Sequence, residues 1–229
     1  MTVIVALLST SIVLTLGLML ALTTTLETDI AANGHGAVQT LALAEAAAER
    51  AAAELGALAS WDDALAGANT AACFDGAHGV RPAGGTAIDL DGETACLLCG
   101  APSCAGHSPD TITAARPWGS NNPRWTVYAS GTAAALLGPG GRAGPGYAVV
   151  WVGDDPAEND ADPLRDGAEP VAEAGSLENP GRDAISLRAV AWGARGSRRE
   201  LEWVVERAEP ATHTGIRVRV WREVRGALP

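Results

Sequence analysis

The stretch Asp154-Asp155-Pro156-Ala157-Glu158-Asn159-Asp160-Ala161-Asp162-Pro163-Leu164-Arg165-Asp166 carries six carboxylates against one arginine. Calcium takes hard oxygen ligands of this kind, and Asp160 and Asp162 stand at alternating positions as its loops require. The candidate ligands are Asp154, Asp155, Asp160, Asp162 and Asp166. The stretch lacks the ligand order of an EF-hand and its following bidentate glutamate, and a solvated acidic loop is the plain alternative. Pro156 and Pro163 argue for a loop of fixed shape rather than a helix.

Four cysteines, Cys73, Cys96, Cys99 and Cys104, form the second chemical cluster. An even number in a Gly/Ala/Pro-rich stretch beyond an apolar segment points to disulfides in an oxidising compartment. Three pairings are open, and the expectation is Cys73 with Cys96 and Cys99 with Cys104. A four-sulfur zinc site competes, since Cys96 and Cys99 have ligand spacing. Histidines 35, 78, 107 and 213 are scattered, and His78 and His107 flank the cysteines. No nucleophile elbow, phosphate loop or dinucleotide fingerprint is present, so a non-enzymatic protein is expected. The net charge of −11, with no basic stripe, argues against nucleic acid as a partner.

These groups need elements to position them. Strand-forming runs occur at 125–129, 147–152, 185–192, 201–207 and 216–224, separated by turn residues. Leu201, Trp203 and Val205 alternate with Glu200, Glu202 and Glu206, predicting an antiparallel sheet with one solvated face. Gly193–Ser197 would connect the third and fourth strands as a hairpin. Outward glutamates on one strand and outward arginines on the last would pair across neighbouring strands. Trp192, Trp203 and Trp221 are expected in the core, and Trp118 and Trp125 in core or edge packing. Residues 62–120 read as irregular chain held by disulfides.

Helical sequence occupies residues 1–60. Leu41, Ala44, Ala48, Ala51, Leu55 and Leu58 form one apolar stripe able to cover the sheet. The two glycines in Asn33-Gly34-His35-Gly36 cost about 2 kcal/mol relative to alanine, so a break is expected at 33–36. Ahead of it, residues 1–26 contain no charge, enough to cross a bilayer. The chain has no lysine, and its first arginine is Arg50. The basic flank that orients a membrane helix is therefore missing. Either a basic leader precedes Met1 in the precursor, or the run is buried in something other than lipid; an uncleaved signal anchor is the alternative. The fold expected is α+β: a long N-terminal hydrophobic helix packed through its C-terminal half on an antiparallel-sheet head. The helix spans 1–60 and the head 61–229, with a cysteine region at 73–104 and the sheet at 125–224.

Leu26-Glu27, Asn33-Gly34 and Ala44-Glu45-Ala46, following the apolar run, together with the late strand pair 185–207, resemble a PilX-type minor pilin of the type IV pilin family. The resemblance covers residues 1–60 well and the sheet in patches, and it does not extend to the cysteine region. It implies prepilin peptidase cleavage before residue 1, residence in the inner membrane before assembly, and export by the pilus machinery. It also implies a helical filament of like subunits or other pilins, at the cell surface. The assembly residues would be Met1, Val5, Leu8, Ile12, Leu16 and Leu20. Val5 departs from the family, in which a glutamate at this place pairs with a neighbour's terminal amine. Val5 would mark a tip subunit, or else Ser9, Thr10, Ser11 or backbone carbonyls would satisfy the amine. The function expected is a structural filament subunit. The alternative is a tip pilin or pseudopilin acting as a surface-binding module, with calcium in the acidic loop.

Overall fold

The first 55 described residues form one helix, α1 (Thr2–Gly56), about 80 Å long at 1.5 Å per residue. The structure is a computed structural model and describes residues 2–138, 145–158, 160, 162–167, 183–208 and 215–224. The break expected at 33–36 does not occur: α1 runs through it unbroken. Helix on both sides spares the segment a new nucleation step, which outweighs the glycine penalty. Side chains also brace the region. Gln39 bonds His35 at 2.9 Å, Thr40 Oγ1 donates to the Gly36 carbonyl at 2.8 Å, and Arg195 of the head reaches Asp29 at 3.2 Å.

The C-terminal half of α1 buries Leu43, Ala44, Ala47, Ala48, Ala51, Ala52 and Leu55. Small residues let the sheet approach the helix backbone closely, and Leu41 and Leu58 flank this stripe half-buried. The end of α1 is tied down by side chains that satisfy its free carbonyls. The Trp61 indole donates to Leu55 O at 2.9 Å, Arg207 donates to Leu58 O at 2.7 Å, and the guanidinium of Arg207 stacks over the Trp61 ring.

After α1 come a single turn, α2 (Asp62–Leu65), and a hairpin of β1 (Val80–Ala83) and β2 (Thr86–Asp89). Gly84 and Gly85 both have positive φ, as a tight two-residue hairpin turn requires. A Cβ on Gly84 would collide with the Gly193 carbonyl. Helix α3 (Leu90–Cys99) follows. Asp89 caps its start by accepting from Asp91 N, and left-handed Gly100 ends it. The region 62–120 is thus more ordered than its composition suggests.

The main sheet is an antiparallel meander in the order β3 (Thr126–Thr132), β4 (Tyr147–Asp154), β5 (Ala184–Trp192), β6 (Arg198–Arg207) and β7 (Ile216–Glu223). A short helix, α4 (Ala133–Leu137), follows β3. All five expected strands are present, and the 193–197 turn joins β5 to β6. Between β6 and β7 the pairing shifts from Val204↔Val220 to Val205↔Val218, leaving Arg219 as the extra residue of a bulge.

Both faces of the sheet are covered across β4, β5 and the start of β6, so the expected solvated face is corrected there, while β7 lies open at the edge. One face, with Ala148, Val150, Val152, Leu187, Leu201 and Val205, packs against α1. The opposite face, with Tyr147, Val149, Trp151, Val190 and Trp192, lies under the β1–β2 hairpin and α3. The Trp151 indole donates to Thr94 of α3 at 2.9 Å. Glu200 is consequently only 2% exposed; its carboxylate contacts Arg198 at 2.7 Å and Arg188 at 3.0 Å. Arg198 also reaches Glu93 of α3 at 3.2 Å, and Arg188 reaches Glu202 at 2.8 Å. The expected cross-strand charge pairs are present toward the edge: Arg222 with Glu202 at 2.6 Å, Arg219 with Glu206 at 3.1 Å, and Arg217 with Glu206. Trp203 and Trp192 are core residues, whereas Trp221 on edge strand β7 is 49% exposed, against expectation.

Candidate functional site

Two features remain once the fold is accounted for: the projecting half of α1 and a buried carboxylate cluster. In the first, every apolar residue from Val3 to Ile30 lies open. Val5, Leu8, Ile12, Leu16 and Leu20 are each more than half exposed, as are Val3, Ile4, Leu7, Leu14, Leu18 and Leu22 on the other sides of the helix. Met1, named with the assembly residues, lies outside the described residues. The greasy surface therefore encircles the helix rather than following one stripe, and a helix apolar on all sides is one that is buried on all sides. The helix is long and apolar enough to cross a membrane, and none of its apolar stretch is buried within the chain.

The hydroxyls of this segment look after themselves. Thr10 donates to Ala6 O at 2.7 Å, Thr15 to Ser11 O at 2.8 Å, and Thr23, Thr24 and Thr25 each donate four residues back at 2.9 Å. Such back-bonding satisfies these threonine hydroxyls within the helix itself, which suits an apolar surround.

The second feature lies where β4 ends. Asp154 is the last residue of the strand, and its side chain points inward, 1% exposed. The chain turns through Pro156, with Asp155 Oδ1 accepting from Ala157 N at 3.0 Å, and brings Glu158 and Asp160 back over Asp154. Glu158 and Asp160 are each 4% exposed, and one oxygen from each of the three carboxylates lies within 4.8 Å of the others. No hydrogen bond of normal geometry reaches either oxygen of Asp154, Oε2 of Glu158 or Oδ2 of Asp160. The contacts that reach the Asp154 carboxyl are the carboxyl of Glu158 and the amide of Asp155. Asn121, in the turn after Trp118, donates to Glu158 O at 2.6 Å, and its own Oδ1 is buried without a donor. Burial, followed by the neighbouring carboxylates, pushes the protonation of Asp154 and Glu158 well above the ordinary carboxylate range.

Of the five expected ligands, Asp154 and Asp160 come together, joined by Glu158, which spacing alone did not single out. The signal available was its place four residues after Asp154 across a proline turn. Asp155, Asp162 and Asp166 serve the loop instead. Asp162 Oδ1 accepts from Leu164 N at 3.4 Å, and Asp166 Oδ1 accepts from Asp183 N at 2.8 Å. Burial raises the Asp166 carboxyl to about 6.

The cysteines follow half of the expected pairing. Cys99 and Cys104 are bonded, while Cys73 and Cys96 are free thiols. Cys73 packs beside the α1-facing core and Cys96 belongs to α3 on the opposite face, so the sheet separates them. The bond also removes two sulfurs from the alternative zinc set. Burial raises both free thiols above their ordinary value, so neither is activated. His78 pairs with Asp91 in the open at 2.6 Å, His107 is exposed, and His213 lies outside the described residues. Trp125 is buried, as expected, and Trp118 is 42% exposed.

The chain matches no protein-family model, no curated protein and no solved structure.

Proposed function

We propose that this chain is a structural subunit of an extracellular type IV pilus-like filament, assembled through the projecting half of α1. The observation that carries the proposal is the all-round exposure of apolar residues 2–26 on a helix whose other half is fixed to a folded head. A rod of that kind is stable when other helices surround it, and copies of itself meet the need without new chemistry. The resemblance of residues 1–60 to PilX-type minor pilins supports the same reading. On it, the segment rests in the inner membrane until the pilus machinery extracts it, after prepilin peptidase has acted. The head, with its acidic surface, faces outward. No catalytic role is assigned.

Electron microscopy and light scattering of the full chain on detergent removal test this. Regular filaments are expected, and Leu16→Arg should abolish them while leaving the near-ultraviolet circular dichroism of the head unchanged. A detergent-free monomer, or a protein that enters vesicles and stays single there, overturns the proposal in favour of a lone membrane anchor.

A further inference from the structure

We infer that Asp154, Glu158 and Asp160 form a binding site for one calcium ion, which pins the loop after β4 against the turn containing Asn121. The inference goes beyond the filament reading and is independent of it.

The geometry suits calcium. Calcium–oxygen distances are about 2.3–2.6 Å, so two ligand oxygens on opposite sides of one ion stand about 4.8 Å apart. The three carboxylates offer oxygens within 4.8 Å of one another. Magnesium, at about 2.1 Å, demands a near-ideal octahedron and gives up its waters reluctantly, whereas calcium accepts an irregular oxygen set. Positions left open on the ion suit water and neutral oxygens, and the unpartnered Asn121 Oδ1 is buried beside the Glu158 backbone.

The electrostatics require some positive partner. Three carboxylates almost wholly removed from water are costly unless paired or neutralised. Among the described residues, the side chains acting on Asp154 are Glu158, Asp160 and Asp166, and those acting on Glu158 are Asp154, Asp160 and Asp155, all acidic. Arg207 acts on Asp166 and is held by Asp183 at 3.1 Å, and Arg165 is exposed. Among the described residues, no arginine forms an ion pair with the three. A shared proton could join Asp154 to Glu158, but one proton bridges only two oxygens. Oδ2 of Asp160 would stay buried and unpaired. A single cation answers all three at once.

The test is isothermal titration of the full chain in mild detergent at pH 7.5, after chelation and dialysis, with calcium chloride as the probe and melting curves alongside. One equivalent of calcium should bind and raise Tm by about 5 °C or more at saturation. Magnesium at equal concentration should do much less. Glu158→Gln and Asp160→Asn should each weaken binding by about tenfold or more, because ligand charge sets affinity in such sites. Circular dichroism checks that the variants fold, and if they do not, the titration of the unaltered protein decides. Absence of heat and of any Tm change at millimolar calcium overturns the site. In that case a melting temperature in chelator that falls between pH 5 and pH 8 would assign the cluster to a shared proton.

Discussion

Glu200→Ala is the sharpest test of the two-layered head, because a residue that alternation places in solvent is instead buried at a junction. The Glu200 carboxylate accepts from Arg198 Nη1 at 2.7 Å and sits 3.0 Å from Arg188 Nε, in poorer alignment. Breaking a buried ion pair costs about 3–5 kcal/mol when the surviving charge has nowhere to turn. Here each arginine keeps a second carboxylate: Glu202 for Arg188 and Glu93 for Arg198. The two guanidiniums are also partly open, at 17% and 26% side-chain exposure. The expected loss is therefore about 2–3 kcal/mol. For a chain of this size it corresponds to a fall in Tm of about 4–12 °C. Urea unfolding of the full chain in detergent, followed by tryptophan fluorescence, measures it. A double-mutant cycle with Arg198→Ala should give a coupling above about 1 kcal/mol. Raising the salt should change that coupling less than it changes the exposed Arg217–Glu206 pair. A loss within about 0.5 kcal/mol of zero would class Glu200 with surface pairs and refute the claim that α3 seals this face.

Two further outcomes follow from the head. Alkylation of the denatured, unreduced protein should add two labels, at Cys73 and Cys96, rising to four after reduction; no label before reduction would restore the Cys73–Cys96 bond. Asp166→Asn should alter the pH dependence of stability measured in chelator. Burial raises the Asp166 carboxyl from 3.8 to about 6 in the folded protein. Its contribution is therefore present below about pH 4 and is lost as pH rises through about 6. The variant, which can still accept from Asp183 N, should match the unaltered protein at pH 3 and exceed it at pH 8 by about 1–2 kcal/mol. Coincident stability curves would refute the assignment.

The five strands, their antiparallel order and the Gly193–Ser197 turn were legible because period-two alternation and turn residues are local signals. Leu201, Trp203 and Val205 faced the helix as their spacing required. What the alternation left out was the second layer. Glu200 reads as solvated because nothing in β6 reveals that α3, about a hundred residues earlier, brings Glu93 and a capped helix down on that face. The carboxylate cluster was half legible for a related reason. Ligand spacing along the chain pointed to Asp160 and Asp162, whereas the inward end of β4 and the turn at Pro156 bring Glu158 onto Asp154. At 33–36 the two glycines cost the helix about 2 kcal/mol, and the helix continuing on both sides outweighs that cost.

The helix itself sets where the head must stand. Its uncharged stretch, residues 1–26, would span about 39 Å, more than the roughly 30 Å of bilayer hydrocarbon. The first charges, Glu27 and Asp29, mark where an apolar surround has to end. The first wholly buried residue of the head interface is Thr40, which bonds Ser197 at 2.7 Å. About 14 residues, or about 20 Å of helix, separate the two boundaries. In that interval the head makes a reach of its own, from Arg195 to Asp29 and Asn33. A head held off by this spacer leaves the greasy half accessible from every direction. On the filament proposal, it is this exposed stretch, residues 2–26, that a neighbour's helix would cover.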